Sequence, residues 1–175
     1  AGHALAEHLI RKHLKQRTTR PTSEYYKDEL LEAVDEYVSF VIGEIEDARR
    51  ECHSPVLLVE QRIDASEYVD SCFGTADMVI ITDKVAHVID LKLGKGVEVN
   101  AEENPQLMIY GLGVLNLAEA IYDIETVRMT IFQPRLANSS TWSVAPELLK
   151  RWGNEVLRPA GAKALMGAGD FTAGT

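Results

Sequence analysis

The chain has 175 residues, with 18 basic and 27 acidic side chains and a formal net charge of −9. That length suits a single domain able to bury a real core, and 46% hydrophobic with 26% charged residues excludes a disordered chain. No apolar run reaches the roughly 18 residues of a membrane span and no signal peptide is visible. Cys52 and Cys72 are too few for a disulfide framework and lack metal-site spacing, so free thiols in a reducing, cytoplasmic compartment are expected.

Taken in chain order, Leu5, Leu9, Ile10 and Leu14 recur at helical spacing and predict a helix over 4–14. Arg20-Pro21-Thr22-Ser23 breaks the chain, and Thr22 or Ser23 is expected to cap a second helix running to about Cys52. Its apolar stripe is Leu30, Leu31, Val34, Val38, Val41, Ile42 and Ile45, and its acidic outer face reads most simply as a solvated surface. Then the period changes. Residues 55–60, 69–73, 76–81 and 85–93 are expected strands, with a tight turn at Thr82-Asp83-Lys84, which together suggest an antiparallel meander. Asn104 and Pro105 cap and open a largely apolar, buried helix over 106–121. A strand over 127–133 closes at Pro134, and Ala145-Pro146 starts a last helix carrying Lys150, Arg151, Arg158 and Lys163. The order implies an α+β or mixed α/β fold, a central mixed sheet flanked by helices, in one domain over 1–175. The start at Ala1 and the loose stretch 167–175 look like cuts in a longer protein.

Three charged residues fall where strand patterning asks for apolar ones: Asp77, Asp90 and Lys92. Residues i and i+2 share a face, so Asp90 and Lys92 point the same way and Leu91 points to the other. If 82–84 is the turn, Asp77 pairs near Asp90. Two carboxylates and an ammonium then meet at one end of a two-stranded ribbon. The set reads either as a surface ion pair at a hairpin end or as a site for a hard divalent cation, Mg²⁺ or Mn²⁺, which offsets buried carboxylates and activates water at a phosphate. Gln106 and Tyr110, at i and i+4, share one helix face and are placed to reach the phosphate or the water, or else to serve as a helix-end amide and a core phenol.

Gly74-Thr-Ala-Asp77, Asp90-Leu-Lys92 and Gln106-Leu-Met-Ile-Tyr110 run in the order G-x-x-D, D-x-K, Q-x-x-x-Y. This order resembles the PD-(D/E)XK nuclease superfamily, in its RecB-like exonuclease branch. Gly2-His3-Ala-Leu-Ala-Glu7 resembles the helix that supplies a histidine ligand there, and a similar start marks a phage-encoded RecB-like family of otherwise unknown function. The resemblance covers about residues 1–135. It implies a restriction-endonuclease-like core. His3, Asp77, Asp90 and the Leu91 carbonyl would be metal ligands, Lys92 the catalytic lysine, and Gln106 and Tyr110 substrate contacts. Glu60 falls where some relatives carry an acid, but it reads equally as a strand-end surface residue. Ala76 stands where the superfamily's proline would be.

The function the resemblance implies is a Mg²⁺-dependent deoxyribonuclease, an exonuclease of phage recombination or repair in the bacterial cytoplasm. Its partner would be DNA, with a phage recombinase or single-strand-binding protein beside it. A cysteine cluster holding iron–sulfur or zinc would enter only with cysteines beyond residue 175. The alternative is a non-catalytic nuclease-fold module that binds DNA or docks a recombination or replication protein, for which the acidic segment 24–51 offers a surface. His8 and His13 lie off the face of His3, His87 reads as packed, and Trp142 and Trp152 read as core residues or as base-stacking groups. The −9 weighs against nucleic acid as a total but not by segment. Residues 1–20 hold five basic and one acidic side chain, whereas 21–60 hold three and eleven.

Overall fold

The computed structural model describes residues 1–168; the rest of the expected loose C-terminal stretch, residues 169–175, lies outside the described residues. Helix α1 spans Gly2–His13 and α2 spans Asp28–Glu51. Strands β1 (Val56–Asp64), β2 (Phe73–Ile81) and β3 (Val85–Leu91) follow, then helix α3 (Pro105–Ala118) and strands β4 (Thr126–Gln133) and β5 (Asn138–Val144). The chain closes with α4 (Pro146–Trp152), a π-helical turn over Gly153–Leu157, and α5 (Arg158–Leu165).

The five strands form one mixed sheet in the order β1-β2-β3-β4-β5. β1, β2 and β3 are the expected antiparallel meander, and β3 and β4 run parallel because α3 carries the chain back across the sheet. Two apolar layers sandwich it. Val34, Val41 and Ile45 of α2, with Leu5 and Ile10 of α1, cover Met78, Ile80, Ile89 and Leu91. Leu107, Leu112 and Leu115 of α3 cover Val79, Val88, Met129 and Ile131 on the opposite face. Each such side chain contributes about 1.5–3 kcal/mol by leaving water. Both faces of β3 are buried, which is why it is apolar except at His87 and Asp90. Among the described residues no helix is long and apolar enough to cross a membrane.

Two expectations differ from the structure, and one strand was not expected. The second helix starts at Asp28, not at Thr22 or Ser23; no side chain caps it, and the Ser23 hydroxyl instead accepts from Tyr25 N at 3.2 Å within the preceding loop. Residues 69–72 are not a strand. They belong to the β1–β2 connection, in which Ala65 N bonds Cys72 O at 2.9 Å and Ser71 sits at φ 58°, a reversal no strand permits. β5 is an edge strand that sequence patterning did not reveal, because Asn138-Ser-Ser-Thr-Trp-Ser lacks the β-branched run expected of a strand.

Candidate functional site

β2 and β3 pair from Ile81↔Ala86 up to Met78↔Ile89, and one more step sets Asp77 opposite Asp90, as the turn at 82–84 requires. The main-chain ladder stops there. The Asp77 side chain takes over: its Oδ2 accepts from Leu91 N at 2.7 Å. Asp90 is buried, and the Lys92 ammonium lies 2.9 Å from its Oδ2. Gln106, in the first turn of α3, accepts from Lys92 Nζ at 2.8 Å through Oε1 and donates from Nε2 to Asp90 Oδ1 at 3.3 Å and to the Tyr110 hydroxyl at 3.1 Å. The Asn104 side chain fixes that turn by accepting from Leu107 N, and Pro105 occupies the first helical position.

From the other layer, α1 brings His3 to the same place. His3 Nε2–H donates to the Leu91 carbonyl at 2.9 Å and lies 4.0 Å from Asp77 Oδ1. Gly2 packs beneath Leu93 and Leu30, whose terminal methyls an added Cβ would displace. Gly74 has a matching role: a Cβ would stand 2.6 Å from the Tyr110 ring. The glycine of G-x-x-D is therefore the seat of the tyrosine of Q-x-x-x-Y, which couples two motifs 36 residues apart in sequence (74 to 110).

The site carries more acid than the sequence reading assigned to it. Val59↔Met78 and Gln61↔Ala76 place Glu60 directly opposite Asp77, with Glu60 itself at φ 51°, a left-handed conformation costly for a side chain of this size. Burial, followed by the charges of Asp77 and Glu7, pushes its pKa up to about 7. Burial also raises Asp77, with Asp90 adding to the effect and the Leu91 N–H, His3 and Lys92 opposing it. Glu7, one helical turn after His3, is held by Arg11 at 2.8 Å, and Arg11 also donates to the Val59 carbonyl. Glu7 and Arg11 were legible as i+4 neighbours in α1 but not as members of the site, because nothing in sequence placed α1 against β1. Tyr37 lies on the buried face of α2. Its hydroxyl is fully buried without a hydrogen-bond partner, and Asp77, Asp90 and Glu60 lie near enough to raise its pKa beyond the effect of burial.

The structure brings together all eight residues singled out in sequence. His3, Glu60, Asp77, Asp90, the Leu91 carbonyl, Lys92, Gln106 and Tyr110 meet where the β2–β3 ladder ends while β1 stays paired to β2. Four carboxylates (Glu7, Glu60, Asp77 and Asp90) face two permanent cations, Arg11 and Lys92. Asp90 Oδ2 is buried and lacks a well-formed hydrogen bond despite its ammonium neighbour. The carboxylate and carbonyl oxygens suit a hard divalent cation, and the one imidazole is the donor that departs from that preference. Among the described residues no three His, Cys, Asp or Glu side chains converge closely enough to hold an ion alone. The Leu91 carbonyl is therefore needed to complete the set, and Asp90 would have to exchange its Lys92 contact for the ion.

A family model described as "Protein of unknown function (DUF2800)" matches residues 1–175, and the chain belongs to that family. A solved structure titled "Crystal structure of SSO0001" is 14% identical, with a TM-score of 0.33 over 95% of this chain and 86% of that one.

Proposed function

We propose that this member of the family is a metal-dependent phosphodiesterase acting on DNA, with the RecB-like nuclease arrangement of the PD-(D/E)XK superfamily. One observation carries the reading: Asp77, Asp90, the Leu91 carbonyl and His3 converge from three elements, with Lys92 and Gln106 hydrogen-bonded at the rim. A Mg²⁺ or Mn²⁺ ion held by His3, Asp77, Asp90 and the Leu91 carbonyl would neutralise charge at the phosphate and lower the pKa of water. The protein's own groups do the rest. Asp77, anchored by Leu91 N, keeps one oxygen turned toward His3. Lys92 orients the attacking water and stabilises negative charge building on the phosphate. Gln106 and Tyr110 offer an amide and a phenol to the same oxygens. Exonuclease action, a setting in phage recombination and a recombinase or single-strand-binding partner rest on the motif resemblance alone.

The test is degradation of end-labelled single-stranded and duplex DNA in Mg²⁺ by the wild type, Asp90→Ala and Lys92→Ala. Degradation by the wild type alone is the expected result. Equal degradation by all three proteins, or by none, overturns the assignment.

A further inference from the structure

Both tryptophans of the chain line one open cavity of about 400 Å³ between α3, β5 and α4. Trp142 projects from β5 and Trp152 from α4, Met108 of α3 forms part of the floor, and Arg151, Glu103 and Glu155 carry the charges. The walls are built by unusual backbone. Glu103 sits at φ 52° just before the first turn of α3, and Glu155 lies in the π-helical turn 153–157, a conformation frequent at functional sites. The cavity is rooted in the core at Met108, which is 3% exposed, yet open to solvent at Val156, which is 51% exposed. Its volume falls in the range of small-molecule sites.

Its chemistry narrows the occupant. Two half-buried indoles, packed against the core, line it. Arg151 opposes a cationic guest, and Glu103 and Glu155 oppose a bare anion such as free phosphate. A neutral, flat group whose edge bears both donors and acceptors suits all five. That describes a nucleobase. The location agrees, since Glu103 precedes α3 by two residues and Met108 lies in it two residues after Gln106, so the cavity and the carboxylate site adjoin at the N-terminal end of α3.

We propose that this cavity receives one unstacked base of a single DNA strand whose phosphate lies at Asp77, Asp90 and Lys92. This rests on the nuclease reading and deepens it, by assigning single-stranded DNA or a frayed end as the substrate. A base inside an intact duplex has no free face to offer the indoles. The carboxylates further favour bases carrying an exocyclic amine, so cytosine binds better than thymine.

Because no other tryptophan is present, indole emission reports on this cavity alone. The experiment titrates Lys92→Ala protein in Mg²⁺ with hexamers of dC, hexamers of dT and a blunt duplex. Binding is followed both by tryptophan emission and by anisotropy of a labelled strand. The expected result is quenching by single strands with dC several-fold tighter than dT, little response to duplex, and about ten-fold weaker binding in Trp152→Leu. Glu155→Ala, at an exposed position that leaves folding intact, should equalise dC and dT. Unchanged emission while anisotropy reports single-strand binding overturns the proposal, even if the wild type degrades DNA. Quenching that grows with protein concentration alone also overturns it, by giving the cavity to a second copy. Quenching by single strands in a protein whose wild type degrades no DNA would keep the base site and remove the nuclease.

Discussion

Strand β3 carries two buried polar clusters, three residues apart and on opposite faces, and they are built differently. His87 faces α2. Its Nδ1 lies 3.3 Å from Glu44 Oε2, and its Nε2 lies 2.8 Å from the Thr130 hydroxyl, which in turn bonds Thr141 at 2.8 Å. Glu44 has Arg128 as a second neighbour at 4.0 Å. Every ring nitrogen is used and the charges match. Asp90 faces α3. There one buried oxygen lacks a well-formed hydrogen bond, four carboxylates meet two cations, and Glu60 is held in a left-handed backbone. A satisfied network is what a buried polar group needs in order to be structural. A site with excess charge and stored strain is stable only because the surrounding core supports it, which is the signature of a place prepared for something else.

The sharpest way to break this comparison is to mutate each cluster and read both activity and stability. Asp90→Ala or Lys92→Ala should lower DNA hydrolysis by about 10³-fold or more, with little change in melting temperature. His87→Ala should do the reverse. It leaves a buried cavity and takes one partner each from Glu44 and Thr130, costing about 3 kcal/mol by urea denaturation, while residual folded protein keeps its activity.

A smaller effect separates the clusters by pH. Burial pushes the His87 pKa below 6.5 despite Glu44, and the bond to His87 holds Glu44 below its usual 4.5. The unfolded chain therefore takes up the histidine proton first. Stability from His87 is whole above pH 6.5 and declines as pH falls below it, by at most about 1.4 kcal/mol per pH unit for one proton. Glu44 adds a further decline below pH 4.5. Glu60, pushed up to about 7 in the folded chain, gives the opposite slope over the same range, so the effect is read as a difference: from pH 7.5 to 5 the wild type should lose stability relative to His87→Asn.

Smaller still, Glu60→Gly should raise the stability of the metal-free protein by about 1 kcal/mol, by relieving the left-handed backbone, and should reduce hydrolysis. Gly74→Ala should lower activity by displacing the Tyr110 ring. In a double-mutant cycle with Tyr110→Ala, the two changes should couple by about 1 kcal/mol, whereas Gly74→Ala and His87→Asn should be additive.

The Asp90 cluster was more legible in sequence than the His87 cluster, and the reason is local. Asp77, Asp90, Lys92, Gln106 and Tyr110 sit on a hairpin and the helix after it, where a turn at 82–84 and an i+4 spacing determine which side chains meet. His3 became legible only through motif resemblance, because α1 reaches Leu91 across 88 residues of chain. Glu44, His87 and Thr130 come from three elements with no shared spacing, so no pattern joins them. β5 escaped for a related reason: an edge strand needs only one neighbour, and Ser139, Thr141 and Ser143 face solvent. The two tryptophans were visible as residues, but their convergence on one cavity depends on how α4 closes over β5.

The most direct test of the account is titration calorimetry of the wild type and Asp90→Ala with Mn²⁺. One ion bound per chain with a Kd below about 1 mM, lost in Asp90→Ala and unaffected in His87→Asn, is the predicted result. No heat at millimolar Mn²⁺, or binding that survives Asp90→Ala, would contradict it and leave the end of β3 as a crowded surface rather than a metal site.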